Sequence, residues 1–134
     1  MKKKLWLMFS ALALAVLTGC SSVQTAGPNS FNDLKITPSG EAVAHVSAFA
    51  NGLYFLCFPI ITGSSENPGS ISLFSDTVNV TKMTNALTKK SAELNADTTL
   101  DLASSTGSTS FVIPPIPYPI FSWKTVYVSG NAVK

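Results

Sequence analysis

The chain has 134 residues, with nine lysines, no arginine and seven acidic residues, a formal net charge of +2, 46% hydrophobic residues and only 12% charged ones. Three of the lysines are Lys2, Lys3 and Lys4 and the others are dispersed. No basic cluster remains to neutralise a row of phosphates, which excludes nucleic-acid binding. Residues 20–134 suffice for one domain with one core, not two.

After the three lysines comes an apolar run from Leu5 to Val16, interrupted only by Ser10, and then Leu17, Thr18, Gly19 and Cys20. Basic n-region, short apolar h-region and small-residue zone, in that order, make an export signal. The lysines stay at the anionic cytoplasmic leaflet while the apolar run enters the bilayer as a short helix. The run is shorter than the about 20 residues of a permanent span. Residues 1–19 are therefore expected to guide export and be removed.

Leu17-Thr18-Gly19-Cys20 resembles the lipobox of bacterial lipoproteins. The resemblance implies that the Cys20 sulfur is alkylated with diacylglycerol and that a dedicated peptidase, recognising Leu17, Thr18 and Gly19, cuts before Cys20. The new amine is then often acylated as well. Each buried methylene contributes about 0.8 kcal/mol and stable anchoring takes about two chains, so a lipidated Cys20 would hold the protein on a membrane. In this family an aspartate after the cysteine retains the protein in the inner membrane. Ser21 at that position favours the outer membrane of a Gram-negative envelope. Loss of residues 1–19 would leave six lysines against seven acids.

Residues 20–34 contain Gly27-Pro28 and show neither a helical nor a strand period, so they are expected to form a lipidated flexible tether. The domain is expected over 35–134. Strand formers dominate from Glu41 to Ile61, with Asn51-Gly52 between two apolar stretches. Asn-Gly is a strong hairpin signal, giving strands near 42–50 and 53–61. The alanines at 42, 44, 48 and 50 leave a single bent strand as the alternative. Pro59 implies a strand end or an edge. Cys57, in an apolar run, reads as a buried, inert thiol.

Gly63 to Ser72 carries turn chemistry. Val80, Met83, Leu87, Lys90 and Leu94 then recur at steps of three or four, predicting an amphipathic helix between Asp76 and Ala96, firm over 81–95 and capped by Ser75, Asp76 or Thr81. Thr98, Leu100 and Leu102 alternate as a half-buried strand, Ser104–Ser110 reads as a small-residue turn around Gly107, and Phe111-Val112-Ile113 begins another strand. Pro114, Pro115, Pro117 and Pro119 force an extended connection. The chain closes in an alternating strand over 122–133. These elements predict an α+β domain: an antiparallel sheet of four to five strands with one amphipathic helix packed on one face. The layout resembles small bacterial envelope lipoproteins of unassigned activity that end in Val-x-Val-x-Gly-x-Ala, here Val126 to Ala132.

A hydrolytic triad or metal centre needs convergent ionisable groups. The chain has one histidine, His45, which reads as a satisfied strand residue. The acids are dispersed, and neither Gly-x-Ser-x-Gly nor a phosphate loop occurs. No catalytic residue, metal or cofactor is expected beyond the covalent lipid on Cys20. Ile116, Tyr118, Ile120 and Trp123, in and after the proline-rich stretch, form the candidate binding surface, because prolines restrict the backbone and leave apolar side chains free to dock. The expectation is a membrane-anchored, non-enzymatic envelope protein with a protein partner, or alternatively a module binding a small ligand or glycan.

Overall fold

The computed structural model describes residues 19–32, 34–112, 115 and 117–134. Among these the chain forms strands β1 (Ser21–Ala26), β2 (Ala42–Phe55), β3 (Phe58–Gly63), β4 (Ile71–Leu73), β5 (Thr98–Phe111) and β6 (Phe121–Val133). A helix, α1 (Val80–Glu93), and a 3-10 turn at Pro28–Ser30 complete the described elements. The strands make an antiparallel sheet in the order β4-β3-β2-β6-β5. β6 lies along the whole of β2, from Ala42 opposite Val133 to Phe55 opposite Phe121. The other edge of β2 is shared end to end: β1 covers His45–Ala50 and β3 covers Gly52–Phe55. This is the α+β architecture that the sequence predicts, with α1 packed on one face.

Alternation decides which face is buried. Ala44, Val46, Ala48 and Ala50 on β2, with Val126, Val128 and Ala132 on β6, meet Met83 and Leu87 of α1 in one core. Burial of Met83 and of Leu87 stabilises the fold by about 1.5–3 kcal/mol each. The alanines, poor strand formers, let the helix lie close to the sheet. Asn79, rather than Ser75, Asp76 or Thr81, caps α1: its backbone is extended and its Oδ1 accepts the Lys82 N–H at 2.9 Å.

Several local expectations are corrected. Residues 21–26, expected in the tether, form β1, because the edge of β2 offers them a ladder and Val23 packs against the core. The turn is not at Asn51-Gly52. β2 runs through it, held by β6, and reverses at Leu56-Cys57, where Leu56 takes a positive φ of 55°. Gly52 serves close approach instead: a Cβ there would stand 2.6 Å from Thr62 Cγ2. Cys57, expected buried, is exposed because it occupies this turn. Part of the expected 63–72 loop forms β4. Ser104–Ser110 is not a turn but the middle of a 14-residue strand, kept extended by pairing with β6. Pro59 sits at the β2–β3 register shift, beyond the end of β4, so its missing N–H deprives no neighbour.

Candidate functional site

Cys20 stands one residue before β1, its thiol exposed. Asn51 holds it from two sides: the Asn51 N–H donates to the Cys20 carbonyl at 2.9 Å, and the Cys20 N–H donates to Asn51 Oδ1 at 2.6 Å. The preceding Gly19 is buried, and a Cβ on it would lie 2.5 Å from the Thr62 carbonyl carbon. A Cβ on Gly63 would lie 2.2 Å from both the carbon and oxygen of the Cys20 carbonyl. Two glycines thus let β1 and β3 meet on one edge of β2. Ser21 closes the junction, its hydroxyl donating to the Ser64 carbonyl at 2.5 Å and its carbonyl accepting the Gly69 N–H at 2.9 Å.

Beneath this junction lies a hydroxyl network. Thr62 Oγ1 donates to the Ser75 carbonyl at 2.8 Å. Thr77 Oγ1 lies 2.7 Å from Thr62 Oγ1 and 2.6 Å from the Gly63 carbonyl, and its single proton can serve one of them at a time. Next to it Tyr54 is fully buried, and its hydroxyl donates to Asp76 Oδ1 at 2.5 Å. Burial, first, and the Asp76 carboxylate, second, push the Tyr54 hydroxyl well above its ordinary pKa. Lys124 Nζ lies 4.1 Å from the centre of the same ring, close enough for a cation–π contact.

At the end of the sheet nearest Tyr54, four strands finish in phenylalanine. Phe58 pairs with Phe55, Phe55 with Phe121, and Phe121 with Phe111. The Phe55 and Phe121 rings meet edge to face at 5.4 Å, and Phe111 stacks on Phe121 at 6.1 Å. Leu56 and Val112 extend this row and are exposed with it. From Leu53 to Ser65 and from Leu102 to Trp123 the chain carries no charged side chain.

Of the residues expected to form a binding surface, Tyr118 is 72% exposed, and Ile120 and Trp123 are half-buried. The Ile120 carbonyl accepts the Leu56 N–H at 2.7 Å, tying the proline-rich link to the β2–β3 turn. Ile116 lies outside the described residues, as do Leu17 and Thr18. Phe55, Leu56, Phe58, Phe111 and Phe121 were not legible as one surface. Their only sequence signal is that each lies in an apolar stretch.

His45 lies at the opposite end of the sheet. Its Nδ1 is 2.8 Å from Asn131 Oδ1, while Asn131 Nδ2 donates to Asp101 Oδ2 at 2.9 Å and to the Ile36 carbonyl at 3.0 Å. An amide oxygen only accepts, so this geometry places the imidazole proton on Nδ1. Asp97 and Asp101 do not converge with it into a ligand set; among the described residues no three His, Cys, Asp or Glu side chains gather. No helix among the described residues is long and apolar enough to cross a membrane. No protein-family model, curated protein or solved structure matches the chain.

Proposed function

We propose that this chain is a lipid-anchored bacterial envelope protein, non-enzymatic, that acts through protein contacts at the membrane surface, with Cys20 as its lipidated residue. The reading rests on the order of Lys2–Lys4, the apolar run and Leu17-Thr18-Gly19-Cys20. The observation that carries it in the fold is the position of Cys20: its thiol is open to solvent, while its backbone is fixed by Asn51 one residue before β1. A thiol so placed can bear a diacylglyceryl group without disturbing the core. The anchor would then join the domain directly, because the residues after it belong to β1.

Metabolic labelling with a fatty acid tests the anchor. Wild-type protein takes up label and shortens, whereas Cys20→Ser takes up none and keeps residues 1–19. Unchanged labelling of that variant overturns the reading. Capture of a reproducible partner from envelope extracts by the acylated protein tests the second half; saturable binding of a soluble metabolite instead would refute it.

A further inference from the structure

We propose that the phenylalanine-tipped end of the sheet is a second membrane contact, lying in the lipid interface beside the anchor; this rests on the reading that Cys20 is lipidated. The apolar side chains concentrate at one end of the domain. Phe58 is 67% exposed, Phe74, which follows β4 and bonds the Ile60 carbonyl, 79%, and Phe55 41%. Exposed aromatic and aliphatic side chains with no charge among them mark an interaction surface rather than ordinary solvent-facing structure.

The occupant follows from where the chain enters. β1 runs antiparallel to β2, with Ser21 opposite Ala50 and Ala26 opposite His45. Its Cys20 end therefore points the same way along β2 as the Phe55 end. Cys20 is held at Asn51, four residues from Phe55, a separation of about 13 Å along an extended strand. Apolar faces that lie on membranes sink about 5–10 Å into the headgroup and acyl boundary. An acyl group on Cys20 and a tip immersed to that depth are thus compatible with one tilt of the sheet.

Charge is arranged to match. Lys124 lies three positions inward of Phe121, above the Tyr54 ring, where its amine can meet lipid phosphate while its stem covers apolar surface. Trp123, half-buried and next to Lys124, falls at the same level, the depth that amphipathic rings favour. Near the tip the acid Asp76 accepts the Tyr54 hydroxyl, while at the far end Glu41 exchanges backbone hydrogen bonds with Lys134, Asp97 donates its N–H to the Val133 carbonyl, and Asp101 accepts from Asn131. A membrane with anionic lipid would hold the tip and leave the acidic end in water.

Cys57 supplies the test, because once Cys20 carries a thioether it is the one free thiol of the chain, and it sits in the turn of the tip. A nitroxide is attached to Cys57 of the full acylated protein in vesicles of phosphatidylethanolamine and phosphatidylglycerol. Expected is loss of relaxation by a water-soluble nickel chelate and gain of relaxation by oxygen, relative to a nitroxide at Glu41→Cys in a Cys57→Ser background. Phe58→Ser, which removes a mostly exposed ring, and the double variant with Phe55→Ser should restore chelate access while the protein stays on the vesicles through its anchor. A Cys57 label as open to the chelate as the one at position 41 overturns the proposal. So does spin–spin broadening that survives dilution with lipid, which would assign the tip to a second copy. Mass analysis of the N-terminal peptide in the same samples reads the anchor separately: acylated Cys20 with an open tip sinks only the second contact, and unacylated Cys20 sinks the anchor reading and this geometry with it.

Discussion

Asn51 and Cys20 exchange two hydrogen bonds, one through the Asn51 backbone N–H and one through its side-chain oxygen. The side-chain bond makes Asn51 a clamp on the residue that leads into β1, although its Asn-Gly context suggests a turn. Asn51→Ala keeps the backbone bond and removes the other. The expected loss is about 0.5–1 kcal/mol in denaturant unfolding, with amide exchange accelerated in residues 20–22 before anywhere else.

Gly63→Ala tests the meeting of β1 and β3. The new methyl would lie 2.2 Å from the Cys20 carbonyl, so one strand must withdraw. Overpacking of this kind costs about 1–3 kcal/mol. Exchange protection should vanish across Ser21–Ala26 while α1 keeps its own.

In the core, Leu87 is fully buried between α1 and the two central strands. Leu87→Ala leaves a cavity and should lower unfolding free energy by about 2–5 kcal/mol. Thermal unfolding followed by circular dichroism would show it. A change as small as a surface substitution gives would mean that α1 does not seal this face.

Tyr54 makes stability depend on pH in the alkaline range. Burial and Asp76 raise its pKa in the folded state above the ordinary 10.0, so the folded protein keeps its phenolic proton where the unfolded chain has lost it. The stabilisation is fully present below about pH 10 and declines as pH rises from there toward the folded value. Urea midpoints should therefore hold up to about pH 10 and fall progressively as pH rises above it. Tyr54→Phe should be less stable at neutral pH and should flatten that alkaline decline.

How much of this was legible beforehand varies with what holds each element. α1 was readable because Met83 and Leu87 carry its contact to the sheet within a single stretch, and β6 because its own residues alternate. β1 and the middle of β5 were not. Ser21–Ala26 and Ser104–Ser110 have little apolar content of their own and are extended only because a neighbouring strand supplies the ladder. At Asn51-Gly52 a strong local turn preference lost to pairing with β6 on both sides of it. The order of charge, apolar run and small residues singles out Cys20 in the sequence, but its double hydrogen bond to Asn51 depends on the pairing of β1 with β2. The aromatic end could not be picked out, since Phe55, Phe58, Phe111 and Phe121 converge through strand register alone.

The packing of Gly19 on Thr62 bears on timing. A peptidase that cuts between Gly19 and Cys20 must draw that stretch into its own cleft, yet the folded sheet buries Gly19 and ties up both backbone groups of Cys20 on Asn51. On the proposed reading, maturation and folding therefore compete for one segment of chain. The leader has to be removed while the sheet is still open, and a precursor that folds first keeps it. The speed of folding would then govern how much anchored protein the cell obtains.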